Sequence, residues 1–120
     1  MMARTGLTHE GRLAQVGQLH RAGVTLIAGL DSGISPGKRH GALPEAVIDH
    51  VAAGLSTAEA LVSATSAAAR GCGLADRTGR LRAGLDADLL AVDGDLLTDI
   101  TALRDVRLVI SRGRDVPLAA

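Results

Sequence analysis

Apolar residues recur every three or four positions in three stretches of the first 70 residues, as they do along one face of a helix. In the first stretch Leu13, Val16 and Leu19 share a face, and Thr8 precedes them as a candidate N-cap. In the third stretch Ser56 and Glu59 form a capping box at the start of an alanine-rich run. We therefore expect three helices, over residues 10–22, 44–53 and 57–71.

A continuous apolar run, Val24 to Ala28, lies between the first two predicted helices. It contains β-branched residues and shows no alternation of polar and apolar positions. This pattern is typical of a strand that is buried on both faces in a parallel sheet. An irregular stretch rich in Gly, Ser and charge follows at residues 29–41. The sequence thus predicts a buried strand that ends in a loop.

The pattern changes after Gly71. Short apolar runs at residues 89–92 and 106–110 alternate with turns built from Asp and Gly, which predicts small β structure. We therefore divide the chain into a helix–strand–helix–helix segment, residues 1–70, and a small β segment, residues 71–120. The expected fold class is α/β.

The composition excludes several classes of function. Thirteen basic and thirteen acidic side chains give a net charge of zero, which supplies no field to attract nucleic acid or an anionic membrane. Phe, Trp and Tyr are absent, and with them the side chains on which bases stack. The single cysteine, Cys72, can form neither an internal disulfide nor a cysteine-rich zinc site. We see no secretory signal and no apolar stretch near the roughly 18 residues of a membrane span, so we expect a soluble cytoplasmic protein.

Asp31 is the foremost candidate for chemistry. It follows the predicted strand, and the carboxyl ends of parallel strands are where the loops of α/β proteins assemble their sites. A carboxylate in that place can bind a metal or act as a general base. The alternative is a turn aspartate that bonds its own backbone. His40 closes the same loop, where it is a candidate to orient Asp31 or to contact a substrate.

The remaining polar residues form no local metal motif. No two histidines have the spacing HxH or HxxxH. Four aspartates invite a calcium interpretation, but they lack the spacing of an EF-hand loop, which favours turn chemistry. They are Asp86, Asp88, Asp93 and Asp95.

Several stretches together resemble the end of an amidohydrolase-superfamily enzyme. They include residues 22–33, His40-Gly41, residues 53–61 and residues 79–90. The last of these contains a Gly-Asp-Ala-Asp-Leu type of ending, which is fairly specific, in residues 84–89. The resemblance is to the imidazolonepropionase-like branch, which includes Xaa-Pro dipeptidase-like members, and it extends over nearly the whole chain.

The resemblance implies the C-terminal segment of a metal-dependent hydrolase (β/α)₈ barrel, with its last strand and flanking helices, followed by part of a small β domain. Such enzymes hydrolyse C–N bonds in amides or cyclic amides, with zinc or another divalent metal at the mouth of the barrel. Asp31 matches the aspartate after the eighth strand, which binds metal and takes a proton from the attacking water. The family's Gly-Thr-Asp is Gly29-Leu30-Asp31 here. His40 and Ser35 are candidates for a substrate loop.

The histidine ligands of such enzymes have no match in these 120 residues, and a barrel requires roughly 200 residues or more. We therefore expect a truncated C-terminal portion that binds metal poorly and is inactive alone. An upstream partner chain would complete it for a small-molecule amide-type substrate. The alternative is a non-catalytic α/β binding or assembly module that covers its apolar faces as a homo-oligomer. Neither hypothesis involves nucleic acid or a membrane.

Overall fold

The computed structural model describes residues 8–34, 36 and 39–118. Within these residues four α-helices precede a small antiparallel sheet. In chain order the elements are α1 (His9–Arg21), α2 (Leu43–Ala52), α3 (Thr57–Ala64), α4 (Ser66–Gly71), β1 (Leu89–Val92), a 3₁₀ helix (Ile100–Arg104), β2 (Val106–Ser111) and β3 (Arg114–Asp115). No helix within these residues is both long and apolar enough to cross a membrane.

The capping residues that the sequence predicts begin α1 and α3. Thr8 Oγ1 accepts a hydrogen bond from the Gly11 amide at 3.0 Å. At α3 the capping box is formed in both directions, because Ser56 Oγ accepts from the Glu59 amide at 3.2 Å and Glu59 Oε2 accepts from the Ser56 amide at 2.8 Å. The predicted starts of both helices are therefore confirmed.

The third predicted helix is divided at Thr65, so the expectation of one continuous helix to residue 71 is wrong. Thr65 has φ of −123° and ψ of −97°, and its hydroxyl donates to the Leu61 carbonyl at 2.7 Å. A Thr hydroxyl that bonds the preceding turn competes with the regular helical hydrogen bonds. The surrounding alanines conceal the break in the sequence, because alanine favours helix on both sides of it.

Residues 24–28 do not form the strand that their composition predicts. They lie outside every strand of the described structure, and Val24 and Ile27 are each 46% exposed. A strand is held by hydrogen bonds to neighbouring strands. In the described residues two of its amides donate to helices: Val24 to the Leu19 carbonyl of α1 at 3.1 Å and Ala28 to the Ser63 carbonyl of α3 at 3.0 Å. The segment therefore has the composition of a buried strand without the strand neighbours that would make it one.

The last third of the chain forms the β structure that the sequence predicts. β1 pairs antiparallel with β2, with Leu89 opposite Ile110 and Leu90 opposite Val109. β2 then pairs antiparallel with β3. The order in the sheet is β1-β2-β3, so β1 lies at one edge. Successive residues of a strand face opposite sides, and both faces of the β1–β2 pair therefore carry apolar side chains.

One cluster of buried side chains joins the helical and β segments. Val47, Leu55 and Ala60 come from α2, α3 and the connection between them, and Ile100 and Leu103 come from the 3₁₀ helix. Each of these residues is 6% exposed or less. Residues from both sides of position 70 thus contribute to a shared core.

Candidate functional site

Asp31 lies in the loop after residues 24–28, where it is exposed and has φ of 51°. Left-handed backbone is uncommon outside glycine, and aspartate and asparagine adopt it more readily than most residues. Residues held in such conformations cluster at active sites and ligand-binding loops. Turn aspartates adopt this conformation too, so the backbone at Asp31 is compatible with both interpretations of this residue.

The loop that carries Asp31 is closed by contacts between its two ends. Ser32 Oγ donates to the Arg39 carbonyl at 3.4 Å. The His40 ring lies against Gly33, where an added Cβ would be 3.0 Å from His40 Nε2, so the absence of a side chain permits the approach. The structure thus brings His40 to a residue two positions from Asp31. Ser35, the other candidate for the substrate loop, lies outside the described residues.

The ligand set that a bound metal needs is not assembled by this chain alone. In residues 8–34, 36 and 39–118 no three side chains of His, Cys, Asp or Glu come together in an arrangement that could hold a metal ion. A catalytic zinc site usually has three protein ligands. The described residues therefore do not fit a complete metal site, and Asp31 is a candidate for a single ligand.

The aspartates of the β segment act in turns. Asp88 accepts hydrogen bonds from the Thr78 hydroxyl at 2.6 Å and from the Arg112 amide at 2.8 Å, which together hold the pKa of the Asp88 carboxyl below its usual value. Arg112 has φ of 46° in the turn between β2 and β3. Through its bond to the Arg112 amide, Asp88 stabilises this left-handed residue. Asp86 pairs with Arg77 at 3.1 Å. The aspartates of the Gly-Asp-Ala-Asp-Leu sequence therefore bond this stretch to residues 77–78 and to the turn between β2 and β3.

A pair formed by the half-buried His50 and the buried Ser63 was missed by sequence reasoning. Ser63 is 2% exposed, and its hydroxyl donates to the Ala60 carbonyl at 2.6 Å. His50 Nδ1 lies 2.8 Å from the same hydroxyl oxygen. Because the one hydroxyl proton of Ser63 is directed at Ala60, His50 Nδ1 carries a proton and donates it to Ser63. Burial lowers the pKa of His50.

One sequence signal could have pointed to this pair. Ser63 follows Ala60 by three positions, so the two residues lie on the same face of α3, and Ala60 is fully buried. A polar residue on a buried helix face needs a hydrogen-bonding partner. The sequence does not reveal which residue provides it, because His50 is on another helix.

The family model for the amidohydrolases matches residues 6–116 of the chain. The chain belongs to the amidohydrolase family. Enzymes of this family generally use a divalent metal. Among curated proteins, none matches the chain.

Solved structures of hydrolases in this family are similar to the chain. A putative prolidase from Bifidobacterium longum is 36% identical over 88% of the chain, with a TM-score of 0.81 and 26% of its own length covered. An Xaa-Pro dipeptidase with bound methionine in its active site is 29% identical over 87% of the chain, with a TM-score of 0.80 and 25% of its length covered. Phenylurea hydrolase B is 26% identical over 84% of the chain, with a TM-score of 0.75 and 26% of its length covered.

These amidohydrolases fix the fold class of the chain. The chain spans about a quarter of the length of each of these three structures. Its helices and sheet are those of part of a (β/α)₈-barrel hydrolase, as the sequence predicts.

Proposed function

We propose that the chain supplies Asp31 to a metal-dependent hydrolase site that cleaves C–N bonds in amides or cyclic amides. Asp31 accepts a proton from the attacking water and provides one carboxylate ligand. Protein outside these 120 residues provides the other ligands. The observation that carries the proposal is the place of Asp31, in the loop after residues 24–28 of an amidohydrolase-family chain.

Small amide compounds are the proposed substrates. The likeness to an Xaa-Pro dipeptidase and to a putative prolidase favours the C–N bond that precedes proline. The likeness to phenylurea hydrolase B makes a substituted urea the second substrate class to test. His40 and Ser35, in the loop of Asp31, are the proposed substrate contacts. Zinc is the proposed metal, since carboxylate and imidazole ligands both suit it.

A chimera tests the role of Asp31. The quarter of the Bifidobacterium longum prolidase that matches this chain is replaced by the chain, and hydrolysis of dipeptides, lactams and phenylureas is measured with zinc, manganese or cobalt. We expect metal-dependent hydrolysis by the chimera and none by the chain alone. Asp31→Asn should lower kcat by at least about 100-fold, because an amide cannot act as a base at neutral pH.

The choice of Asn keeps the backbone effect small, because asparagine also adopts left-handed conformations. Asp76→Asn, at an exposed turn position of the same chain, is the matched control and should leave kcat within about twofold. Activity in the chimera that survives Asp31→Asn would contradict the assignment. Hydrolysis by the unfused chain at a comparable rate would contradict the need for further ligands.

A second candidate function, a self-associating assembly module, is supported by the surface of the chain. Large apolar side chains are exposed among the described residues, including Leu81 at 81%, Ile34 at 66% and Leu97 at 63%. Exposed apolar surface can mark a site of protein association. On this hypothesis sedimentation analysis finds a dimer or larger species that is strengthened by added salt, because the contact is apolar. A monomer at high micromolar concentration would exclude the assembly module.

The two segments and the location of the protein complete the proposal. Residues 1–70 would belong to the barrel and residues 71–120 to the small β domain, a division supported by the change from helices to strands after Gly71. The proposed location is the cytoplasm, where a lone cysteine such as Cys72 stays reduced.

A further inference from the structure

Ser63 connects three parts of the fold. Its hydroxyl accepts from His50 of α2 and donates to Ala60 within α3. Its backbone carbonyl accepts from the Ala28 amide at 3.0 Å. In the described residues no other backbone hydrogen bond joins residues 25–30 to a helix or strand. The backbone of this segment is therefore bonded to the helices through Ser63, and Leu26 and Ala28 also pack against the core.

The break at Thr65 makes this carbonyl available. In a continuous helix the Ser63 carbonyl would accept from the amide four residues later, at Ala67. Because α3 ends at Ala64, its last carbonyls have no partner within the helix. The Leu61 carbonyl accepts a hydrogen bond from the Thr65 hydroxyl, and the Ser63 carbonyl accepts one from the Ala28 amide. The interruption of the helix thus supplies the acceptor that the extended segment uses.

The side-chain bonds of Ser63 fix the direction of that carbonyl. The hydroxyl is held at 2.6 Å from the Ala60 carbonyl and 2.8 Å from His50 Nδ1, so both hydroxyl contacts are short. The residue is 2% exposed, which shields these bonds from competition by water. Ala28 is three residues before Asp31, and the intervening Gly29 has no side chain to pack.

We infer that Ser63, oriented by His50, is a positioning residue for Asp31. The helix break at Thr65 leaves the Ser63 carbonyl available for this role. The inference rests on the proposed function for its catalytic consequence, but its structural part stands independently. Loss of the Ser63 hydroxyl or of the His50 donor frees the Ala28 amide and lets the Asp31 backbone move.

Amide hydrogen exchange of the 120-residue chain tests the structural part. Exchange of the Ala28 amide is compared in wild type, Ser63→Ala, His50→Leu and His50→Asn, the last of which keeps a donor near the position of Nδ1. We expect exchange at Ala28 to be about tenfold faster in Ser63→Ala and His50→Leu, and close to wild type in His50→Asn. Thr78→Ala, which removes one hydroxyl bond in the β segment, is the control for a general loss of stability.

The catalytic part is tested in the chimera with the same variants. A misplaced carboxylate should lower kcat about 10- to 100-fold in Ser63→Ala and His50→Leu, with KM changed much less and kcat restored in His50→Asn. Unchanged exchange at Ala28 in both Ser63→Ala and His50→Leu, or the same acceleration in Thr78→Ala, overturns the positioning role. A chimera that is inactive even with the wild-type chain counts against the proposed function. The exchange experiment still decides the role of Ser63 in that case.

Discussion

Arg104 of the 3₁₀ helix forms a two-pronged ion pair with Glu45 of α2. Its Nε donates to Glu45 Oε1 at 2.9 Å and its Nη2 donates to Oε2 at 2.7 Å. The two residues are 59 positions apart and lie on opposite sides of residue 70. Hydrogen bonds from Arg104 hold the pKa of the Glu45 carboxyl below its usual value. A charged contact therefore adds to the shared apolar core in joining the helical and β segments.

Acid should weaken this connection. The folded protein favours the ionised form of Glu45, so the pair contributes stability above the unfolded pKa of about 4.3, and the contribution is lost as the pH falls through the lower, folded pKa. We expect the free energy of unfolding to fall less between pH 7 and pH 3 in Glu45→Gln than in wild type, as measured by urea denaturation. Part of the fall in stability with acid should remain in Glu45→Gln, because Glu59, Asp88 and Asp99 also have lowered pKa values.

The matched control for that experiment is Glu10→Gln, in the first turn of α1. Its pH dependence of stability should follow wild type more closely than that of Glu45→Gln. Identical profiles for wild type and Glu45→Gln would show that the ion pair is not formed in solution.

Truncation in the shared core should destabilise the whole chain. Leu103 is 5% exposed and packs in the cluster with Val47 and Leu55. Leu103→Ala should cost about 2–5 kcal/mol of unfolding free energy, because it leaves a cavity. Leu97→Ala, at a residue that is 63% exposed, should change it by about 0.5 kcal/mol or less. Chemical denaturation followed by circular dichroism measures both, and similar effects at the two positions would contradict a core shared across residue 70.

Local signals in the sequence account for most of the helices and strands. Thr8 and the pair Ser56–Glu59 are short-range caps, so the sequence identifies the beginnings of α1 and α3. The break at Thr65 depends on a hydroxyl bond and on an acceptor needed by Ala28, neither of which leaves a periodic pattern. Residues 24–28 have strand composition, but strands require neighbours, and composition alone cannot show that they are missing.

The candidate site was predictable to a smaller extent. Asp31 was identified by its place after an apolar run and by the resemblance of the surrounding residues, and its left-handed backbone is a structural observation. The contact of His40 with Gly33 depends on how the loop closes, which the sequence does not state. His50 and Ser63 are joined across two helices, so only the folded structure could show them as a pair.

His50 should make stability depend on pH in the range just below neutrality. Burial lowers its pKa, so the folded protein disfavours the protonated ring. The unfolded chain binds the proton more readily, and stability therefore falls as the pH decreases below the unfolded value of about 6.5. In His50→Asn, which does not titrate, the decrease between pH 7.5 and pH 5.5 should be smaller, as measured by thermal or urea denaturation. Removal of the exposed His40 by His40→Asn should have less effect, and a larger one would refute the assignment to His50.

Gly17 should tolerate no side chain. It is buried in α1, and an added Cβ would overlap the carbonyl oxygen of Ala53 at the end of α2. Gly17→Ala should therefore force the two helices apart, at a cost of about 1–3 kcal/mol in unfolding free energy. Gly29→Ala is the control, because nothing lies within 4 Å of a Cβ at that position. A neutral effect of Gly17→Ala would mean that α1 packs less closely on α2 than the structure has it.

The isolated chain should hold little metal. Asp31 is a single candidate ligand, and the described residues bring no group of three ligands together. Elemental analysis after dialysis against zinc should find far less than one zinc per chain, since one carboxylate rarely retains the ion. Asp31→Asn should leave this low content unchanged. One tightly held zinc per chain would require ligands from a neighbouring copy, with His40 and His50 as the first to substitute.

β1 lies at the edge of the sheet and has an aspartate immediately before and after it, Asp88 and Asp93. Exposed apolar edge strands invite pairing with a second copy. If β1 paired antiparallel with itself, centred between Leu90 and Ala91, Asp88 of one copy would stand opposite Asp93 of the other. Like charges in that relation are unfavourable. The two aspartates therefore disfavour this register of pairing between copies of β1, and raising the salt concentration should weaken their effect.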